Sequence, residues 1–226
     1  MTHGVFDAVV FDLDDTLIDW YSSVSACLTE TVDERCADAL LDFCRRELWL
    51  TSPDGTHVWH RNTWALHHRR ETIWPTVLDW LSADEVSLLT KRFDEELWVG
   101  FFPHTVPTLD ALLDQTRLAV LSNNHLVDSE ADRLRLHDWF EVCLAAPHDT
   151  VKPHPEAFLT ICDHLGVAPE RTVYVGDSIK SDVLGAHGAG LIPVWHDVFG
   201  DPWTNPPVGV HRITHLGELP ALLASL

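Results

Sequence analysis

The chain has 226 residues, of which 46% are hydrophobic, and its 35 acidic residues against 15 lysines and arginines give a formal charge of −20. A surface this acidic repels phosphate backbones and anionic lipids, so we expect neither nucleic-acid nor membrane binding. No apolar stretch approaches the roughly 18 residues of a membrane span, and the N-terminus lacks the pattern of a secretory signal. The odd number of cysteines, 5, is typical of free thiols in a reducing cytoplasm, where we expect the protein to reside.

Short apolar runs rich in β-branched residues recur along the chain and predict buried parallel strands. They lie at 9–11, 117–122, 141–146, 172–176 and 191–195. Helical patterns lie between the later runs, at about 126–137, 155–165 and 179–188. This alternation predicts an α/β fold, a Rossmann-like parallel sheet with helices on both faces.

The segment between the first two predicted strands has a different pattern. It reads as several amphipathic helices, interrupted near 51–55 and 74–75, and contains no convincing strand. Seven of the 10 tryptophans fall here, which indicates an apolar core or pocket of its own. We therefore predict a core domain of residues 1–18 and 104–226, with an inserted all-helical domain of residues 19–103.

Polar side chains follow the predicted strands at their carboxyl ends, where open parallel sheets bind ligands. They are Asp12 and Asp14 after the first strand, Ser122 and Asn123 at the end of the second, Lys152 after the third, Asp177 after the fourth, and Asp182 on the next helix. Each taken alone is compatible with a turn, a helix cap or a surface lysine. Their common edge favours a single functional site.

The acidic residues of this group, Asp12, Asp14, Asp177 and Asp182, bring up to four negative charges, of which Lys152 offsets one. Two like unit charges about 4 Å apart repel by about 4 kcal/mol at an effective dielectric near 20. The cluster therefore needs a divalent cation, protonation, or both. Oxygen ligands of this kind suit Mg²⁺.

These residues resemble the motifs of the haloacid-dehalogenase-like hydrolase superfamily, in particular its phosphatases. The family's first strand ends in Asp-x-Asp-x-Thr, here Asp12 to Thr16, and a Ser or Thr ends its second motif, here Ser122. A Lys precedes a Pro-rich helix start, here 152–155, and Gly-Asp-Ser is followed by a second Asp, here 176–182. All four elements occur in family order, and Asp15 stands where many members carry glycine.

The resemblance implies that Asp12 attacks phosphorus to form an aspartyl-phosphate, while Asp14 acts as general acid and then as general base. It also implies Mg²⁺ as cofactor, held by Asp12, the backbone carbonyl of Asp14, and Asp177, with Asp182 supporting the metal indirectly. The phosphoryl oxygens would be held by Ser122, the backbone N–H of Asn123, and Lys152.

The implied reaction is Mg²⁺-dependent hydrolysis of a small phosphorylated metabolite. The alternative is a sugar-phosphate mutase, which resembles the same family. A mutase passes the phosphoryl group on, so that an isomeric sugar phosphate forms instead of inorganic phosphate. Members that cleave carbon–halogen bonds lack an acid at the position of Asp14 and use no metal, so Asp14 with Asp177 and Asp182 favours a phosphatase over a dehalogenase. A non-catalytic binding module is disfavoured, because no nucleophile or metal ligand is missing.

The inserted segment occupies the place where this family carries a helical cap, which closes over the site and shapes the leaving-group pocket. One helix bearing His57, His60, Trp64 and His68 would put these side chains near one face. Packing and solvated histidine are favoured over ligand contact, and zinc is disfavoured because no carboxylate or cysteine stands at the usual spacing. Trp59, His60 and Trp64 are the candidate residues for substrate choice.

Overall fold

The computed structural model describes residues 6–36, 38–39, 49–51, 58–60, 78–96, 99–124, 127–200 and 202–226. The chain divides into two compact units, one of Met1–Ile18 with Phe101–Leu226 and one of Asp19–Gly100. Within the described ranges, no helix has the length and apolar character needed to cross a membrane.

Both units contain strands and helices. The strands are β1 (Ala8–Phe11), β2 (Trp49–Thr51), β3 (Val58–His60), β4 (Arg117–Ser122), β5 (Val142–Ala145), β6 (Thr172–Gly176), β7 (Ile192–His196) and β8 (His211–Ile213). The α-helices are α1 (Trp20–Thr31), α2 (Ala83–Glu96), α3 (Thr105–Leu112), α4 (Val127–Leu134), α5 (Pro155–Leu165), α6 (Gly185–Gly188) and α7 (Leu219–Leu223).

A parallel sheet of six strands organises the first unit, in the spatial order β5-β4-β1-β6-β7-β8. Strand β1 pairs in parallel with β4 on one side and with β6 on the other. The strand order reverses between β1 and β6, and such a reversal opens a ligand-binding crevice at the carboxyl edge of a sheet. The backbone N–H of Asp12 extends the ladder by donating to the carbonyl of Val175 at 2.9 Å, so Asp12 leaves β1 at this crevice.

The core of this unit is built from alternate residues of the central strands, which point to opposite faces of the sheet. On one face, Val10 and Tyr174 pack with Phe158 of α5, whose ring meets that of Tyr174 edge-on at a centroid distance of 4.9 Å. On the other face, Phe11 meets Phe140 edge-on at 5.9 Å. The Rossmann-like parallel sheet predicted from the sequence is confirmed.

Helix α5 begins and ends where the sequence predicts, because residues typical of a helix start and of a helix end stand at its two ends. The His154 side chain accepts a hydrogen bond from the N–H of Glu156, and Pro155 occupies the first turn, where its missing N–H leaves no partner unsatisfied. Gly166 ends the helix with φ 63°, a left-handed conformation that glycine adopts without strain. The segment predicted as a helix at 179–188 is instead a π-helical turn, Ile179–Leu184, followed by α6.

The second unit contains an antiparallel strand pair, β2 and β3, in which Trp49 lies opposite His60. The prediction of an all-helical insertion is therefore wrong at this pair. Both strands are short and rich in aromatic or β-branched residues, and the sequence between them carries Pro53, Asp54 and Gly55. Two such runs around turn residues are typical of paired strands, whereas the sequence analysis took these residues as a break between helices.

The chain leaves the first unit and returns to it at adjacent positions. Ile18 and Phe101 form an antiparallel bridge within the first unit. In the second unit, the N–H of Asp19 donates to the carbonyl of Gly100 at 2.9 Å. The side chain of Asp19 also caps α1 by accepting from the N–H of Ser22 at 3.1 Å.

Candidate active site

The loop after β1 holds two carboxylates in a tight turn. Asp12 is 6% exposed, and Asp14 forms a parallel bridge with Ile18. Asp15, which directly follows Asp14, has φ 55°, in the left-handed region. Aspartate tolerates this region better than most residues, because its short polar side chain bonds locally. This explains why Asp15 can stand where many family members carry glycine.

Lys152 is the central cation of the site, although it is only 2% exposed. Its ammonium group donates to Asp12 Oδ1 at 2.6 Å, to Asp182 Oδ1 at 2.6 Å and to the Tyr174 hydroxyl at 2.8 Å. Three acceptors thus match its three N–H donors. Burial lowers the pKa of Lys152, but the carboxylates of Asp12 and Asp182 outweigh burial and raise its pKa, so the ammonium stays charged.

The carboxyl groups around Lys152 carry more negative charge than one ammonium can balance. Burial and then repulsion from Asp182, opposed by Lys152, raise the pKa of Asp12 to about 6. Burial, followed by repulsion from Asp182, Asp15 and Asp12, raises the pKa of Asp177 well above its ordinary value. Oxygens of Asp12, Asp177 and Asp182 all lie within 4.8 Å of one another. The donor set and its excess charge therefore fit a hard divalent cation such as Mg²⁺.

Asp14 has a different environment from Asp12. Its Oδ2 accepts a hydrogen bond from the side-chain amide of Asn124 at 3.1 Å. Its Oδ1 is buried and makes no hydrogen bond to the described residues. Burial, then repulsion from Asp12 and Asp15, raises the pKa of Asp14 well above its ordinary value. A raised pKa favours the protonated form of the carboxyl group, which is the form that can donate a proton as a general acid.

The segment after β4 positions Lys152 as well as offering its own polar groups. The Asn123 side chain accepts from the Lys152 N–H at 2.9 Å and donates to the Lys152 carbonyl at 3.0 Å. Ser122 Oγ accepts from the N–H of Asn124 at 3.1 Å. The side chain of Asn123 thus has a positioning role that the sequence analysis did not predict, and the phosphate-binding role of its backbone N–H stays a prediction.

Asp182 is fixed by bonds to both of its carboxylate oxygens. Oδ1 contacts Lys152 and the Tyr174 hydroxyl, the latter at 3.2 Å, and Oδ2 accepts from the N–H of Ser178 at 3.0 Å. A Cβ on Gly176 would lie 2.4 Å from Cβ and Cγ of Asp182, so only glycine fits there. Asp182 therefore braces Lys152, and its indirect support of a metal stays a prediction.

Two residues of this network, Asn124 and Tyr174, were missed by the sequence analysis. Asn124 directly follows the predicted pair Ser122 and Asn123, so its position was a usable signal. Tyr174 is the middle residue of β6, and its pairing with Val10 of β1 puts both side chains on the same face of the sheet. The sequence alone does not reveal this pairing of β1 with β6, nor that the Tyr174 hydroxyl reaches Lys152.

The residues predicted to choose the substrate are not described in side-chain detail. Trp59 and His60 lie on β3, but their side chains are outside the described part of the chain, and Trp64 lies outside the described residues altogether. Their role in substrate choice stays a prediction.

The buried lysine and the strand-end carboxylates lie at one edge of a parallel sheet, and the sequence comparisons identify the family of the chain that carries them. Residues 6–190 match the family model of haloacid dehalogenase-like hydrolases. The chain is 30% identical over 200 residues to phosphoglycolate phosphatases of Shigella dysenteriae and Escherichia coli, covering 80% of this chain and 77% of each relative. The chain belongs to the haloacid dehalogenase-like hydrolase family, and the resemblance drawn from its motifs is confirmed.

Solved structures of this family share the fold across two chemistries. A 2-haloacid dehalogenase from Pseudomonas syringae pv. Tomato DC3000 is 26% identical, with a TM-score of 0.61, covering 97% of this chain and 99% of that one. A HAD phosphatase from Thermococcus onnurineus is 26% identical, with a TM-score of 0.60, covering 96% and 97%. Because both kinds of enzyme match equally well, the site and not the fold must distinguish them.

Proposed function

We propose that the protein is a Mg²⁺-dependent phosphatase that hydrolyses a small phosphate monoester through an aspartyl-phosphate on Asp12. The observation that carries this proposal is the buried carboxyl group of Asp14, whose pKa is raised well above its ordinary value and which follows Asp12 by two residues. An alkoxide leaving group needs a proton, whereas a halide does not. A buried carboxyl group at Asp14, with its pKa raised, therefore supports phosphate-ester over carbon–halogen cleavage.

In this mechanism the carboxylate of Asp12 forms a bond to phosphorus as the ester oxygen leaves with the proton of Asp14. Asp14, now ionised, takes a proton from water, and that water attacks phosphorus. The bond to Asp12 breaks, and inorganic phosphate is released. The phosphoryl oxygens are held by Ser122, the N–H of Asn123, and Lys152.

Asp12, Asp177 and the backbone carbonyl of Asp14 would hold Mg²⁺, with Asp182 acting through Lys152. Bound there, Mg²⁺ supplies positive charge that offsets the repulsion between the carboxylates and the phosphate. The support for this site is the excess of buried negative charge around Asp12 and Asp177.

The inserted segment, residues 19–103 by the sequence boundaries, is proposed to be a cap that selects the leaving group through Trp59, His60 and Trp64. The substrate is then a small phosphorylated metabolite, and phosphoglycolate, named for the relatives, is the first compound to test. We place the enzyme in the cytoplasm, which the free thiols of Cys27, Cys36, Cys143 and Cys162 support.

The test is phosphate release from a panel of phosphorylated metabolites, including 2-phosphoglycolate, by the purified chain with Mg²⁺ and after chelation. We expect release that requires Mg²⁺, and its abolition in Asp12→Asn, with circular dichroism showing that the variant is folded. An isomeric sugar phosphate without free phosphate would instead identify a mutase. Halide release from a 2-haloacid, or a wild-type rate in Asp12→Asn, would refute the phosphatase mechanism.

A further inference from the structure

Strand β7 ends at the same edge of the sheet as the carboxylates, and its last two side chains reach the acidic loops. Trp195 is 4% exposed, and its indole N–H donates to the backbone carbonyl of Asp177 at 2.9 Å. His196 is 2% exposed, and its imidazole forms a hydrogen bond with the backbone of Asp15. Because consecutive strand residues point to opposite faces, β7 can hold two loops at once.

We propose that Trp195 and His196 are positioning residues, Trp195 for the metal ligand Asp177 and His196 for the general acid Asp14. This inference rests on the proposed function, because it assigns each residue to one part of that reaction. Neither side chain is expected to touch the substrate. Each acts through a backbone carbonyl in a loop that carries a reacting or metal-binding group.

The Trp195 ring is held in place by packing that does not depend on its N–H. The guanidinium of Arg212, the residue beside it on β8, lies 5.2 Å from the ring centroid. The ring of Trp203 meets it edge-on at a centroid distance of 5.5 Å. Arg212 is itself bound to the buried carboxylate of Asp197. Replacing Trp195 by Phe should therefore keep an aromatic ring in this site while removing the bond to Asp177.

His196 is similarly fixed, with the ring of Phe102 edge-on at a centroid distance of 5.8 Å. Its Nδ1 is buried and has no hydrogen-bond partner among the described residues, so we assign the proton to Nε2, which donates to the Asp15 carbonyl. That carbonyl follows Asp14 by one residue and belongs to the turn with φ 55°. The bond therefore fixes the backbone at Asp15, one residue after Asp14, the proposed acid.

The two assignments predict different defects. Trp195→Phe should weaken metal binding, because Asp177 loses the bond that fixes its backbone. His196→Phe should weaken metal binding less than Trp195→Phe does, because Asp14 would offer the metal only its backbone carbonyl, and it should slow alkyl phosphates more than an aryl phosphate. An aryl phosphate has a leaving group that needs little help from a proton donor, so its kcat/KM, which reports the first phosphoryl transfer, is insensitive to the placement of Asp14 as the acid.

Metal binding is measured with Mn²⁺ by electron paramagnetic resonance on the full chain, without substrate. We expect Trp195→Phe to raise the Mn²⁺ dissociation constant about 5–10-fold, the effect of one lost hydrogen bond. Trp203→Phe, which removes an adjacent indole, should not change it. Benzothienylalanine at position 195, which keeps the bicyclic shape without the N–H, should reproduce the effect of Trp195→Phe.

The ratio of alkyl to aryl phosphate kcat/KM is measured for His196→Phe, with His215→Phe as its control. We expect a fall of about 10-fold in this ratio for His196→Phe only, and partial recovery in His196→Gln, which retains a donor. Wild-type Mn²⁺ affinity in both variants at position 195, or an equal loss on both esters in His196→Phe, would overturn the inference and leave the proposed function standing. A wild-type chain that neither binds Mn²⁺ nor releases phosphate would overturn both.

Discussion

The side chain of Asn123 bonds the backbone of Lys152 in both directions, with 2.9 Å from the Lys152 N–H to Oδ1 and 3.0 Å from Nδ2 to the Lys152 carbonyl. This pair of bonds joins the end of β4 to the segment after β5. It fixes the backbone from which the ammonium group reaches Asp12. Lys152 is therefore positioned at both of its ends, by an amide at the backbone and by carboxylates at Nζ.

We expect Asn123→Ser to lose both bonds, since the shorter side chain cannot span them. At about 0.5–1.5 kcal/mol per hydrogen bond, the free energy of unfolding should fall by about 1–3 kcal/mol. The kcat should fall by about 10-fold on every phosphate ester, because the phosphoryl group that Lys152 is proposed to hold is common to all of them. Urea denaturation and phosphate release check both values, with the exposed Asn205→Ser as control. An unchanged kcat would show that Asn123 does not position Lys152.

Gly176→Ala should damage the site through a steric clash with Asp182. A Cβ at this position would lie 2.4 Å from Cβ and Cγ of Asp182, so the carboxylate must move away from Lys152. We expect overpacking to lower the free energy of unfolding by about 1–3 kcal/mol and to depress kcat on all substrates. Gly188→Ala is the control, because a Cβ there meets nothing within 4 Å and should be neutral or slightly stabilising. Equal behaviour of the two variants would contradict the prediction.

His196 should make the fold sensitive to mild acid. Burial, and then repulsion from His215, lowers the pKa of His196 from 6.5 to about 4, while Asp197 and Glu218 oppose the change. Between these values the unfolded chain binds a proton that the folded chain does not, so stability falls as pH drops below about 6.5 and is unaffected above it. At pH 5 this amounts to about 2 kcal/mol.

The measurement is urea denaturation of the metal-free chain at pH 7.5 and at pH 5. His196→Phe should lose about 2 kcal/mol less than the wild type between the two pH values, whatever its stability at pH 7.5. His164→Phe, on α5, controls for the loss of an exposed histidine that does not act on His196. Equal losses in wild type and His196→Phe would show that His196 is not held neutral by the fold.

The proposed cap and the phosphate site should respond differently to mutation. Substituting Trp59, His60 or Trp64 should change the relative rates on different phosphorylated metabolites, with less effect on a small aryl phosphate. Lys152→Ala should instead depress all substrates by a similar factor, about 10²–10³, as does the loss of one charge-stabilising donor. Rates on a substrate panel test this division. It is wrong if the cap substitutions slow all substrates equally and Lys152→Ala reorders them.

The strands and the helix that the sequence predicts well are those with strong local signals. β4 and β6 have the predicted bounds because fully buried parallel strands read as unbroken apolar runs. Helix α5 agrees because a proline and a glycine mark its two ends. The pair β2 and β3 was missed because three-residue strands are too short to show alternation, so the turn residues between them were read as a break between helices.

The residue types of the site were readable from the sequence, but its bonds were not. Lys152 and Asp12 are 140 residues apart, and they meet because β1, which Asp12 follows, and β5, which precedes Lys152, belong to one parallel sheet and end at the same edge. The sequence motifs predict only that Lys152 and Asp12 lie at the same edge of the sheet. They do not predict that Lys152 also binds the Tyr174 hydroxyl, or that Asn123 uses its side chain on the Lys152 backbone. These bonds depend on strand order and rotamer, which local sequence does not encode.

The bridge between Ile18 and Phe101 has a consequence for how enzymes of this kind can diversify. The chain enters and leaves the inserted unit through two neighbouring positions, so the ends of any replacement need to span only the distance between paired strands. Closing a longer loop between fixed ends costs only about 0.6 kcal/mol per doubling of its length. The inserted unit can therefore be exchanged, lengthened or shortened in evolution as a module, while the spacing between Asp12 and Lys152 is kept by the sheet.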